Sequence, residues 1–553
     1  MAIKLKGGEV YDPTHKIDGE TKDLFVANGK IQNNLSDNDK LEKTYDVSDC
    51  IVMAGAIDLH THIGGGKVNI ARTMMLEDEH QHPHPCSDIL RSGNGRIVPS
   101  TFSAGYRYAE MGYTACFEPA VLPVNARQAH MELADTPMVD KGGYALLGND
   151  DFLLNMIREG ATQNAINDYV AWLLDATQCI GIKVVNAGGI HAFKYNQRRL
   201  DVDEMGPAGS KPRDIIATLS RAVHDLGIAH PLHVHASNLG VPGNFATTLA
   251  TMAAADGLPI HLTHIQFHSY GTEGDYKFSS AACEIAEAIN NNKNVSADVG
   301  QIMFGQTITT SGDTMMQYFG HDHASPKKWT VMDIECEAGC GVIPFKYRDK
   351  SFVNALQWAI GLEVFLQVND PWRIFLTTDH PNGAPFTSYP HLIKLLMDRS
   401  FRNDVFKIVH EGAQKASNLA SMDREYSLYE IAIMTRAAPA KILGLSNHGH
   451  LGEGANANIT VYRKQNDIEQ MFAKPAYVFK DGTLIVKDGK IVETVLGKTH
   501  VVKPEFDHAI EKPLKKYFDD YQTISLNNFK ISNDEMIECI GSEIEVHPSA
   551  SNA

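Results

Sequence analysis

The run Ile51-Val52-Met53-Ala54-Gly55-Ala56-Ile57-Asp58-Leu59-His60-Thr61-His62 decides the fold. Its apolar part, Ile51 to Ile57, reads as a strand buried on both faces. In an extended chain His60 and His62 point to the same side, with Cα atoms about 6.6 Å apart, so both imidazoles can converge on one cation. A His-x-His pair alone is a weak signal; its place at the end of a buried strand strengthens it. Short apolar candidates of the same kind recur at 113–118, 143–147, 180–185, 229–235, 258–264, 294–299 and 373–378, giving eight with 51–59. Helical patterns fall between them at 163–177, 214–226, 245–256, 279–291 and 351–368. Eight strand-helix units predict a closed α/β barrel of the (β/α)8, TIM-like type, whose chemistry belongs at the C-terminal strand ends.

Polar residues stand at those ends. Ile180-Gly181-Ile182-Lys183-Val184-Val185 puts a lysine inside an apolar strand, where a bare ammonium is expensive. Lys183 must be paired, neutral or modified, and a neutral amine can take up carbon dioxide to give a bridging carbamate. Leu232-His233-Val234-His235 offers two imidazoles on one strand face; His235 is the expected ligand and His233 a supporting or substrate contact. His261-Leu262-Thr263-His264 places His264 nearer the rim, with His268 in the following loop. Thr377-Thr378-Asp379-His380-Pro381-Asn382 closes the eighth strand with a carboxylate able to bind metal and exchange protons with water. His60, His62, Lys183, His235, His264 and Asp379 therefore read as a metallo-hydrolase centre for two divalent metal ions. Mixed imidazole and oxygen ligation suits zinc first, while admitting manganese, iron or nickel.

Outside the barrel, residues 2–50 and about 457–496 alternate short apolar runs with turns such as Asn28-Gly29 and Lys480-Asp481-Gly482. The expected organisation is a small β-sandwich domain built from both chain ends (1–50 and 451–500), a barrel over 51–450, and a peripheral extension or subunit-contact arm over 501–553. The connection 300–372 is too long for a plain crossover and is expected to be a lid or partner surface; it carries Asp333, Glu335, Glu337, Cys336 and Cys340.

Composition narrows the class. With 43% hydrophobic and 21% charged residues, the 553-residue chain is a soluble globular protein with room for several domains. A net charge of -17 argues against sequence-independent nucleic-acid binding. No apolar leader or membrane-length run is seen, so no membrane association and a cytoplasmic location are expected. The 8 cysteines show no Cys-x-x-Cys pattern and read as buried thiols.

The chain resembles the amidohydrolase superfamily, and within it the large hydrolytic polypeptides of formylmethanofuran dehydrogenases and their bacterial relatives in formyltransferase/hydrolase complexes. The stretches that carry this are Gly64-Gly65-Gly66-Lys67-Val68-Asn69, Ser103-Ala104-Gly105-Tyr106-Arg107-Tyr108, Gln266-Phe267-His268-Ser269-Tyr270-Gly271 and Asp379 through Pro390. The resemblance implies that His60, His62 and Asp379 hold one metal, His235 and His264 the other, and that a carboxylated Lys183 bridges them. It implies hydrolysis of the formyl amide of a formylmethanofuran-like or methylofuran-like carrier to formate and free amine, in C1 metabolism. The partners implied are a formyltransferase and the other subunits of a heteromeric complex.

In that reading Asp379 is the proton carrier, and His268 or His380 steadies the reacting carbonyl. Lys67, Asn69, Arg107, Asn186, His233 and Asn382 contact the carrier. An anionic carrier tail would meet local basic groups, for which Lys67, Arg72, Arg107, Lys194, Arg198, Arg199 and Lys346 are candidates. The His-rich loop Glu79-His80-Gln81-His82-Pro83-His84 and Ala187, where archaeal relatives carry proline, favour the bacterial type. The same loop is also a candidate third metal site. Competing readings are the archaeal condensation of formate with methanofuran, a cyclic-amide or dihydropyrimidine hydrolase, and a non-catalytic structural subunit.

Overall fold

In the computed structural model, the described residues are 2–36, 40–194, 197, 199–312, 323–328, 330–331 and 341–549. Eight parallel strands form the central sheet: β1 (Ala56–Asp58), β2 (Tyr113–Val121), β3 (Asp140–Leu146), β4 (Gly181–Val185), β5 (Leu232–His235), β6 (Ile260–Leu262), β7 (Val295–Asp298) and β8 (Ile374–Phe375). Each pairs with the next. The sheet curls back on itself beyond the strand ends, where Thr61 bridges His380 and the His62 amide donates to the His380 carbonyl at 2.8 Å. Most strand residues are fully buried, as expected when helices cover the outside and side chains fill the inside.

The helices form where the apolar periodicity places them. Gln163–Thr177 is capped by Thr162, whose side chain accepts from the Ala165 amide. Phe352–Gln367 is capped in the same way by Ser351, and Pro212 opens Pro212–Asp225 where its missing N–H costs nothing.

The expected first strand divides in two. Cys50–Ala54 leaves the barrel for a nine-stranded mixed sheet made from both chain ends, and β1 begins only after Gly55. Gly55 marks the transfer: a Cβ there would lie 2.1 Å from Thr114 Oγ1. In the terminal sheet Cys50–Ala54 joins Ala2–Asp12 in parallel and Ile459–Arg463 antiparallel, so residues far apart in sequence share one apolar cluster.

Part of the 300–372 connection forms a three-stranded antiparallel sheet, Gly305–Gly312, Thr330–Val331 and Gly341–Tyr347. It packs on the helix Gly66–Met74 through Val68, Ala71, Ile308 and Val342. Asp333, Glu335, Glu337, Cys336 and Cys340 lie outside the described residues. Beyond residue 500 the chain is built into the body: Thr499–Val502 extends the barrel sheet beside β3, Ile544–His547 pairs with it, and Phe529 stacks on Trp172 with ring centroids 5.7 Å apart. No described helix is long and apolar enough to cross a membrane.

Candidate metal centre

Strand register brings the polar residues together. Leu146 pairs with Lys183, Lys183 with His233, and His233 with His261, which sets Lys183, His233 and His261 side by side at one level of strands β4 to β6. One step toward the rim, the chain leaves β6 and β8 through left-handed turns at His264 (φ 36°) and Asp379 (φ 49°). Positive φ is uncommon outside glycine, and here it turns both side chains into the barrel mouth. Gly300 makes the close approach possible, since a Cβ there would sit 2.3 Å from the His264 Cβ.

His60 Nε2 lies 2.9 Å from Asp379 Oδ1, and His62 Nε2 lies 3.4 Å from the same oxygen. His60, His264 and Asp379 offer ligand atoms within 4.8 Å of one another, as do His235, His264 and His268. The two groups share His264. All five side chains are buried, yet His264 Nδ1 and both His268 nitrogens have no hydrogen-bond partner. Buried imidazole nitrogens left unpaired beside a carboxylate are what a cation-binding donor set requires. The residues present therefore fit a pair of divalent ions.

Electrostatics agree with this donor set. Burial pushes His235 and His264 well below the usual imidazole range and His268 down to about 3, so these rings are neutral donors. Asp379 is raised by burial, but His264 and His60 outweigh that and hold it well below the carboxylate range. Lys183 is buried, and desolvation, opposed by Asp298 and Asp379, pulls its amine down to about 7. Near neutral pH a large share of this amine is uncharged. His62 is pushed down by burial, but Glu118 and Asp379 reverse this and raise it to about 9 in the absence of a cation.

The supporting carboxylates are residues that the sequence reading passed over. Glu118, on β2, takes His62 Nδ1 at 2.9 Å on one oxygen and accepts from the Ile63 and Gly64 amides, at 2.7 and 3.1 Å, on the other. Asp298 ends β7; one oxygen accepts from the His264 amide at 2.9 Å and the Thr377 hydroxyl at 2.7 Å, and the other lies 3.1 Å from His261 Nε2 and 3.6 Å from His60 Nδ1. Burial raises Asp298, but His60, His261 and the His264 amide overcome it and leave the group ionised. Asp58 accepts from the His60 amide and from the Tyr108 and Tyr389 hydroxyls. The available signal was an acid inside an otherwise apolar strand, the same anomaly that singled out Lys183.

The remaining candidates are distributed unevenly. His233 sits beneath His60 with its ring nitrogens 2.8 Å from His60 Nδ1 and 2.9 Å from His230 Nε2; it is fully buried and supports His60 instead of facing the cleft. His380 Nδ1 accepts from the Phe386 amide, which ties its ring into the following loop. Asn382 donates to Asp379 at 3.0 Å, and its own oxygen accepts from the Thr310 amide, so the 305–312 strand fixes the loop after β8. Lys67 lines a cleft with His62, Glu118 and Asn125. Asn186 is buried beside β4 with its Oδ1 unpaired.

Asn69 and Arg72 are bound to each other and to Glu132. Arg107 donates to the Gly95 and His82 carbonyls and so holds the 82–95 loop. Arg199 is exposed and donates to the Pro242 carbonyl. Arg198 and the Lys194 side chain lie outside the described residues. In the His-rich loop, His82 lies 2.9 Å from Asp78 and His84 2.9 Å from the Ser103 hydroxyl; among the described residues neither joins a three-ligand group.

The amidohydrolase family model matches residues 43–493. Protein FwdA of Methanocaldococcus jannaschii is 41% identical over 558 residues, covering 97% of each chain. The A component of the formyltransferase/hydrolase complex Fhc of Methylorubrum extorquens is 40% identical over 552 residues, covering 98% of each. In the crystal structure of the Methylorubrum extorquens formyltransferase/hydrolase complex with methylofuran, one chain superimposes with a TM-score of 0.92 at 39% identity, covering 99% of this chain and 100% of that one.

Proposed function

Because the chain belongs to the amidohydrolase family, we propose that it is the hydrolytic subunit of a formyltransferase/hydrolase complex, cleaving the formyl amide of a methylofuran-like carrier to formate and free amine. The observation that carries this reading is the convergence of His60, His62, His235, His264 and Asp379 around buried unpaired nitrogens, in a chain whose backbone follows the methylofuran-complex polypeptide over nearly its whole length.

In this proposal His60, His62 and Asp379 would hold one divalent ion, zinc, and His235 and His264 a second, with a carboxylated Lys183 as a further ligand. Bound there, two cations supply Lewis acidity and bring the pKa of water toward 7. The neutral fraction of the Lys183 amine is the form that reacts with carbon dioxide. Asp379 then takes a proton from the attacking water and returns it to the departing amine. Asn382, donating to Asp379, keeps that carboxylate aimed. His268, whose ring nitrogens are both free of hydrogen bonds, would meet the formyl oxygen, and His380, tied to the Phe386 amide, would serve to position the loop. Lys67 at the cleft and Asn186 beside β4, with its unpaired Oδ1, would contact the carrier.

Copurification from the native source, followed by mass spectrometry and metal analysis, tests the reading. A formyltransferase partner and release of formate from the N-formyl carrier support it. Tungsten or molybdenum together with an iron-sulfur protein would assign the chain to the reverse condensation of formate with the carrier amine, using the same side chains. The complex would be cytoplasmic.

A further inference from the structure

The base of the barrel, at the opposite end of the strands from the centre described above, gathers a second set of imidazoles and carboxylates. Strand register explains it. In the parallel pair Thr499–Val502 and Ile544–His547, His500 stands opposite Glu545. His547 follows Glu545 by two residues, so the three side chains share one face. His500 Nδ1 lies 2.7 Å from His547 Nε2, and His500, Glu545 and His547 offer ligand atoms within 4.8 Å of one another. His500 is completely buried and His547 is 8% exposed. Behind His500, its Nε2 has no hydrogen-bond partner and faces Asp140 Oδ2 at 3.9 Å.

We propose that His500, His547 and Glu545 form a second site for a zinc-like divalent cation, remote from the centre described above, with the Asp140 carboxylate adding negative charge behind His500. Two imidazoles and one carboxylate are a zinc donor set, with water as the fourth ligand. At 3.9 Å the Asp140 carboxylate is too far to hydrogen-bond His500 Nε2, but it places negative charge behind the ring, which favours a cation on its other nitrogen. Asp140, His448 and His500 also converge within 4.8 Å. Lys480 decides between the two positions: its ammonium lies 3.1 Å from Asp140 Oδ2 and already neutralises that side, so the cation belongs between His500 and His547. Lys498, 3.8 Å from Glu545 and one-third exposed, also reaches Glu543 and can move aside into solvent. The site would clasp Ile544–His547 to Thr499–Val502, and through Thr499 to β3 at Lys141, holding the C-terminal segment against the barrel base. This inference does not depend on the reading of the catalytic centre.

The full-length chain, loaded with zinc and desalted, is compared by plasma mass spectrometry with His547→Gln, Glu545→Gln and a His60→Ala/His62→Ala variant. The expected result is one zinc equivalent fewer than wild type in each of the first two. The third variant keeps that equivalent. Zinc should also slow hydrogen exchange across 544–547 in the wild type but not in Glu545→Gln. Wild-type zinc content in both His547→Gln and Glu545→Gln overturns the proposal, as does exchange that is indifferent to zinc.

Discussion

Glu118→Gln removes one charge and almost no volume, so its effect isolates what this buried carboxylate does for His62. Four donors point at its two oxygens: His62 Nδ1 and the Ala120 amide at one, the Ile63 and Gly64 amides at the other. A glutamine keeps one oxygen. If the amide nitrogen faces Ile63 and Gly64, two buried backbone donors lose their acceptor; if it faces His62 and Ala120, the imidazole loses the group that sets its tautomer. Either orientation leaves two donors unsatisfied at roughly 1–3 kcal/mol each, about 2–6 kcal/mol before local relaxation. Removing a carboxylate behind a ligating histidine lowers metal affinity about 10–100-fold, or about 1.4–2.7 kcal/mol. The assay is a chelator competition titration for zinc on wild type and variant, with formyl hydrolysis measured at limiting and saturating metal. Activity should fall at limiting zinc and recover substantially at saturation. Wild-type zinc affinity in folded Glu118→Gln would show that Glu118 does not prepare His62 for a cation.

Asp379→Asn should keep the fold and lower kcat for formyl hydrolysis about 10²–10⁴-fold, the range for loss of a positioned acid-base group; a folded, metal-loaded variant within tenfold of wild type rejects Asp379 as proton carrier. Lys183 should carry the mass of a bound carboxylate in intact active protein. Reactivation of metal-free, carbon-dioxide-depleted enzyme by bicarbonate and zinc should quicken as pH rises through about 7 and level off above it, because burial brings the amine to that value and only its neutral form reacts; a flat profile, or active protein with an unmodified amine, requires another bridge. Phe529→Ala removes a ring stacked on Trp172 and should destabilise the C-terminal packing by about 3–5 kcal/mol. Hydrogen exchange should rise across 499–547 while the centre retains metal; unchanged protection would mean that this contact does not hold the segment. Prolonged chelation should abolish hydrolysis and zinc should restore it; full activity in verified metal-free protein removes the metal-dependent reading.

The sequence alone determined the period of the barrel and most of its metal-ligand candidates, because both are local properties. A short apolar run must be a buried strand or a helix segment, and His60, His62, Lys183 and Asp379 stand out where a hydrophobic strand meets a charge it cannot bury unpaired. The helix 163–177 was legible to the residue because Thr162 caps it and its apolar face repeats along one side. Only the tertiary structure decided what lies across the barrel from what. Glu118 and Asp298 stand out in sequence only as acids inside apolar strands; strand register is what sets them beside His62 and His60. His233 reads as a supporting or a substrate contact, and only the fold shows that both its nitrogens meet other histidines. Residues 51–54 read as barrel because their burial is the same in either sheet, and only the hydrogen bonding of Cys50–Ala54 to Ala2–Asp12 and Ile459–Arg463 assigns them to the terminal sheet. The pairing of His500 with His547 needs the same long-range register. Composition and periodicity specify which side chains must be buried; the pairing of distant strands decides which buried groups neutralise one another, and it is that pairing that makes a site.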